Sequence, residues 1–382
     1  MKKVSIRKKC PLCGSKHSRN LIKRTFEDMQ NIVPFSSYIV SKCDNCGMIY
    51  AGDIVEVIPL NEYYNNLSKY ETSAYFVSTA RKEKHEKSIS FLNDYINEDD
   101  DILEIGCGGG NFLYQLQNQG YKKLTGIEPS EKNVAGIIDR WNIQCYVGAI
   151  GENISEIQDS KYKLVILECV LEHILDLGGA ISQLKGYIER DGYLFLELPD
   201  ITNWGKIEDL YQQFSVEHVN YFSLQSLNNL LGIYGFRCIK YENAEYGCSY
   251  SLWQYDNIKR NWTYANDGDA SLGIYMKNSK SLVENIKGKL LPYKEKKVYL
   301  WGAGTHTAML YQLGLLDGIR VQAIIDSNKN YHGKTIFGLK VTSPEEVLNM
   351  DKLPIIISSQ IAQKSIKAQI AGMCDNEVVE LY

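Results

Sequence analysis

The sequence predicts an α/β protein of three units: a small N-terminal unit held by cysteines, a central doubly wound sheet, and a smaller C-terminal Rossmann-like sheet. Three observations carry this expectation. Two Cys-x-x-Cys-Gly knuckles stand near the N-terminus, Cys10-Pro-Leu-Cys13 and Cys43-Asp-Asn-Cys46. Two separate segments, near 99–128 and 297–326, run strand, glycine-rich turn, helix, strand, the opening of a nucleotide-binding sheet. Short apolar runs then alternate with helical patterns, as in a βα repeat.

The boundaries follow from these marks. Residues 1–60 hold the knuckles, and 61–98 form a polar, Tyr-rich, helical lid segment with a helix from about Thr79 to Tyr95. Residues 99–270 are the central domain, 271–296 a helical linker, and 297–382 the C-terminal unit. The hydrophobic share of 44% is ordinary for a folded core. A net charge of −4, from 42 basic and 46 acidic residues, argues against a nucleic-acid surface. No apolar run reaches the roughly 20 residues of a membrane span. MKKVSIRKKC has no apolar stretch behind its positive start, so a cytoplasmic protein with reduced cysteines is expected. Part of the 27 tyrosines suits a pocket for a polar, ring-shaped ligand.

Thiolates three positions apart grip one ion, and the glycine after each pair lets backbone N–H groups turn toward the sulfurs. Cys10, Cys13, Cys43 and Cys46 therefore read as a closed, structural Zn2+ site in a ribbon. The other six cysteines show no ligand spacing.

In the first glycine-rich turn, strand Ile102–Ile105 is followed by Gly106, Gly108, Gly109 and Gly110, and Asn111-Phe112-Leu113 opens a helix. The second strand ends in Glu128, where an acid holds ribose hydroxyls. A dinucleotide loop wants a third glycine where Asn111 stands. The spacing Glu104-x-Gly106-x-Gly108-x-Gly110 fits S-adenosylmethionine (SAM), a ligand with cationic groups and no pyrophosphate. Further strands fall at Tyr162–Glu168, Gly192–Pro199, Phe236–Tyr241 and Ser249–Gln254.

The second turn, Gly302-Ala-Gly304, has Thr307 in place of the third glycine and Asp326 about 20 residues on, as a ribose-binding acid would be. It either receives part of a nucleotide-linked substrate or packs as a scaffold. His306 either reaches a phosphate or caps the helix.

The strand order, with Gly148-Ala149-Ile150 after the third strand, resembles the class I SAM-dependent methyltransferases. That resemblance implies that Gly106, Gly108 and Gly110 hug the cofactor and that Glu128 binds ribose. It further implies that Ala149 and Ile150 flank adenine and that Glu168 meets the methionine end. Glu104 and Phe112 belong to the same cofactor set. Over nearly its whole length the chain resembles the zinc-ribbon sugar C-methyltransferases, which act on nucleotide-linked keto-deoxysugars. There the Tyr-rich segment closes over cofactor and substrate, which draws in Tyr70.

In that group a Tyr-His-Glu-His segment after the fifth strand lies at the substrate. Here Ser215-Val216-Glu217-His218 precedes Tyr221-Phe222-Ser223, so the Glu-His pair is kept and the leading Tyr-His is not. His218 suits a catalytic base, because imidazole titrates near neutrality. Glu217 orients it or bonds sugar hydroxyls, and Tyr211 or Tyr221 stands in for the missing tyrosine. Ser223 is the better helix cap, which frees the pair. His173 reads as a helix-start histidine with a structural bond.

The expected protein is a methyltransferase on a nucleotide-linked keto-deoxysugar. The alternative is O- or N-methyl transfer to a sugar or other small polar metabolite. A zinc-ribbon binding module with a vestigial SAM fold, a nucleic-acid methyltransferase and NAD-linked chemistry rank lower. No membrane partner is expected, and the chain is read as a monomer or small homo-oligomer.

Overall fold

The computed structural model describes residues 5–29, 32–66 and 79–382. Tyr70 and Tyr75 lie outside these. The N-terminal unit is an antiparallel sheet of β1 (Ser5–Ile6), β2 (Ser18–Thr25), β3 (Phe35–Cys43) and β4 (Ile49–Glu56), ordered β1-β4-β3-β2. The knuckles sit at its end: the first precedes β2, and the second is the turn between β3 and β4. Two helices follow, α1 (Leu60–Asn66) and α2 (Thr79–Leu92).

The central sheet takes its parallel strands from β5 (Asp101–Ile105), β6 (Lys123–Glu128), β7 (Gln144–Val147), β8 (Tyr162–Glu168) and β9 (Ile188–Pro199). Between them run α3 (Asn111–Asn118), α4 (Glu131–Trp141) and α5 (Leu177–Tyr187). β5 and β8 are near-continuous apolar runs, as strands covered on both faces must be. Beyond them come β10 (Asn220–Tyr221), α6 (Leu224–Gly232), β11 (Phe236–Asn243) and β12 (Cys248–Tyr255). β12 pairs antiparallel with β9, which completes the order β11-β12-β9-β8-β5-β6-β7. The winding reverses between β8 and β5, and the crevice at the carboxyl ends of these strands is where such sheets bind ligands. Ser223 caps α6 through a reciprocal box with Ser226, as expected.

Long α7 (Asp269–Leu290) leads to a six-stranded C-terminal sheet. Its strands are β13 (Lys297–Trp301), β14 (Arg320–Ile325), β15 (Thr335–Ile336), β16 (Leu339–Thr342), β17 (Ile355–Ile357) and β18 (Val378–Glu380), ordered β15-β16-β14-β13-β17-β18. α8 (Thr305–Gln312) and α9 (Gln363–Met373) flank it.

The units do not stack as separate beads. β10, from the middle of the chain, adds to the N-terminal sheet by pairing Asn220 with Tyr50 and Tyr221 with Ile49. One apolar core runs from Phe26, Phe35 and Tyr38 through Trp204, Phe214 and Tyr221 to Val298 and Met309. The last turn before β10 is therefore set by three units at once.

Candidate active site

A cavity of about 910 Å³ opens at the carboxyl ends of β5, β6 and β8. Its lining includes Glu104, Gly106, Gly108, Phe112, Glu128, Ala149, Ile150, Glu168 and His218. Chain reversal after β5 puts three glycines, Gly106, Gly108 and Gly110, into left-handed backbone. At Gly106 (φ +75°) a Cβ would stand 2.6 Å from Val170 Cγ2, so bulk there would collide with the wall. At Gly108 (φ +53°) nothing lies within 4 Å of a Cβ, so its backbone faces open space. Gly110 sits behind the loop as the N-cap of α3, against Ile137 and Trp141.

Glu128 is locked in place. Its Oε2 accepts from Gly108 N at 2.9 Å, and its Oε1 from Ser130 N at 3.2 Å and Asn133 Nδ2 at 3.3 Å. Burial raises its pKa, against these bonds, which lower it. Two further acceptors on the cavity, Glu104 Oε2 and Asn111 Oδ1, are buried without a hydrogen-bond partner among the described residues. Buried acceptors of this kind call for a donor, and a ligand with ammonium and ribose hydroxyl groups supplies what they lack. The site fits SAM.

Glu168 lines the cavity, but its carboxylate is already engaged. Lys84 Nζ reaches Oε1 at 2.7 Å and His85 Nε2 reaches Oε2 at 3.2 Å. Burial alone would raise its pKa; the His85 bond and the Lys84 charge reverse this and hold it well below the usual carboxylate range. Lys84 also meets Glu197 at 2.7 Å. Burial, then repulsion from Glu168, pushes Glu197 up to about 7. His85 stacks on Phe112 with ring centroids 5.0 Å apart.

The loop before β10 separates the residues expected to work together. His218 N donates to Ser215 O at 3.2 Å, closing a turn. His218 faces the cavity. Glu217 points away, buried, and accepts from Tyr63 Oη at 2.6 Å. Tyr221 lies in the shared core, outside the cavity lining, and its hydroxyl donates to His218 O at 2.8 Å. Tyr211 is buried in the same core. A side chain on a two-residue strand inside a packed core has no path to the cavity.

Residues to which the sequence reading gave no part in the site, His173 among them as a structural histidine, complete the wall. Glu172 and His173, in the turn Leu171–His173 after β8, line the cavity. The His173 and His218 rings meet edge to face at 4.9 Å. The run Leu-Glu-His directly after a central strand was the available signal. Lys84 and His85 carried none, because their partners come from other strands.

At the N-terminal knuckles the four thiol sulfurs lie within 4.8 Å of one another. Cys10–Cys46 and Cys13–Cys43 are each 3.5 Å apart, near the roughly 3.8 Å edge of a tetrahedron with 2.3 Å Zn–S bonds. The cluster fits zinc. In the C-terminal unit, Asp326 Oδ2 accepts from Ala303 N at 2.7 Å, repeating the Glu128–Gly108 device. His306 turns inward to Ser358 and Tyr382. Burial lowers its pKa to about 4. No helix among the described residues is long and apolar enough to cross a membrane.

Fold and cavity together define the class: a SAM-dependent methyltransferase. Residues 77–241 match the family model described as a methyltransferase domain. Residues 294–378 match the model described as C2185-like, N-terminal. No curated protein matches the chain. Solved structures similar to the central domain include a putative S-adenosylmethionine dependent methyltransferase from Listeria monocytogenes (15% identity, 46% of this chain and 99% of that one, TM-score 0.37). Another is magnesium protoporphyrin IX methyltransferase from Synechocystis with bound SAH (16% identity, 51% and 97%, TM-score 0.41). A third is 1,6-didemethyltoxoflavin-N1-methyltransferase from Burkholderia thailandensis (14% identity, 46% and 80%, TM-score 0.37).

Proposed function

We propose that the chain methylates a nucleotide-linked keto-deoxysugar, with His218 as the base. The observation that carries this is the position of His218: it stands on the cavity wall, on a loop pinned by the N-terminal sheet. Bound SAM supplies an activated methyl group on a sulfonium. His218 would take the proton from the carbon next to the ketone, the C–H electrons passing into an enolate, and that carbon would bond to the methyl as the methyl–sulfur bond breaks and its electron pair stays on the departing thioether. Glu128 holds the ribose, and the Gly106–Gly110 loop lies against the cofactor. Ala149 and Ile150 flank adenine. Glu217, through Tyr63, and Tyr221, through the His218 carbonyl, position the base rather than touch substrate. Zinc at Cys10, Cys13, Cys43 and Cys46 holds the ribbon.

One observation favours a second reading, transfer to oxygen. Ser215 stands in the segment where the resembling group has its Tyr-His, and its carbonyl serves Tyr38. Labelled SAM is offered with a panel of nucleotide-linked keto-sugars and their reduced counterparts, with wild type and His218→Ala. Label on carbon, from keto-sugars alone and lost in the variant, is the expected result. Label on oxygen would select the second reading, and no turnover with any of them would overturn the substrate class.

A further inference from the structure

Glu172, His173 and His218 each offer one ligating atom, and these atoms lie within 4.8 Å of one another on the cavity wall. Glu172 is 1% exposed, and neither of its carboxylate oxygens has a hydrogen-bond partner among the described residues. A buried carboxylate in that state is costly, so its position points to a partner from outside the chain. His173 is aimed at it. Its Nδ1 lies 3.1 Å from the Glu217 carbonyl oxygen. That oxygen only accepts, and Tyr64 Oη, 3.0 Å from the same nitrogen, can accept as well, so Nδ1 is assigned the proton in the neutral ring. Nε2 is then the coordinating nitrogen, and it stands 3.8 Å from Glu172 Oε1. A ring N–H held by a backbone carbonyl is how metal-bound histidines are oriented.

We propose that Glu172, His173 and His218 form a divalent-cation site of two imidazoles and one carboxylate, with its remaining positions open to the cavity. Donors of this type bind zinc-like ions at about 2.0–2.2 Å, and imidazole with carboxylate suits Zn2+, Fe2+ or Co2+. Donors around such an ion stand about 3 to 3.5 Å apart, so Glu172 and His173 need to close by only a fraction of an ångström. A second cluster, Cys169, Glu197 and Cys248, is equally tight, but Lys84 is already at Glu197 and occupies the place of a cation. The inference goes beyond the reading above and shares one residue with it. A His218 that coordinates an ion cannot also take a proton, so loading the site switches methyl transfer off.

Full-length protein, treated with a mild chelator that leaves ribbon metal in place, is titrated with Zn2+ by calorimetry. Metal per chain is then counted by mass spectrometry after gel filtration. Wild type takes up one ion more than Glu172→Gln or His173→Gln, both checked for folding by circular dichroism. Co2+ in the same site gives weak d–d bands without thiolate charge transfer. Equal metal content in wild type and both variants overturns the site. Methyl transfer, followed in parallel, falls at least about 10-fold as the ion loads. A rise instead would overturn the switching-off and the proton-accepting role of His218, a failure that the metal count keeps separate from that of the site.

Discussion

The Arg7 guanidinium donates to the Val219 carbonyl at 2.7 Å, one residue past His218. The same side chain reaches Asn220 Oδ1 at 2.8 Å and the carbonyls of Ile174 and Leu175. One arginine from the N-terminal unit thus ties together the two loops that carry His173 and His218. Val219 O also receives Ala51 N at 2.9 Å, and Tyr38 Oη donates to Phe214 O at 3.0 Å.

Arg7→Ala takes the guanidinium donor from the Leu175 carbonyl and from Asn220 Oδ1, each loss costing about 1–3 kcal/mol, while Val219 O keeps Ala51 N and Ile174 O keeps Asn220 Nδ2. Because the loop shifts while the cofactor end does not, kcat falls by about 100-fold, the cost of roughly 1 Å of misplacement. KM for SAM stays near its original value. Steady-state kinetics check the split; a change in KM alone would contradict it.

Removing metal from the ribbon, by a strong chelator or Cys43→Ser, unfolds the end of β3 and β4 and frees β10. Methyl transfer is lost together with ribbon structure, although none of the four cluster cysteines lines the cavity. Zinc content, near-UV circular dichroism and activity are measured on one sample, and activity that survives complete metal loss contradicts the coupling.

Glu128→Gln keeps the shape but replaces an acceptor-only group by an amide. Hydrogen bonds to a charged acceptor contribute about 1.5–3 kcal/mol, so SAM binding weakens by about 10- to 100-fold by calorimetry. Turnover at saturating SAM changes little.

Glu197 makes stability depend on pH. Its folded pKa of about 7 lies above the roughly 4.3 of an unfolded glutamate. The folded state therefore holds the extra proton between those values, and stability falls as pH rises from about 4.5 to 7. Glu197→Gln removes this part of the slope. Glu168, held low, acts oppositely: its contribution is present above the unfolded pKa and is lost in acid. Thermal melts across pH 4–8 for wild type and Glu197→Gln measure the difference.

The parts legible in the sequence were those written in short spacings. Cys10 and Cys13 meet because a turn brings i and i+3 together. Gly106 and Gly108 mark where the chain reverses after a buried strand, and Glu128 ends the next strand, beside them in any sheet of this kind. Glu217 and His218 were legible as a pair but not in their directions, because a turn closed by Ser215 sends one to Tyr63 and the other to the cavity. Tyr221 read as a site residue by its neighbours in sequence, and the core claimed it.

By itself the sequence determined the three units, the knuckles, the glycine-rich loop and the acid that pins it, because each depends on backbone geometry within one turn or one βα unit. Only the tertiary structure decided that Lys84 neutralises Glu168 and Glu197, that Glu172 and His173 face His218, and that Arg7 and β4 brace the loop. Those contacts join residues that are far apart in sequence. They are set by strand order and by a core shared among three units, and no local spacing encodes either.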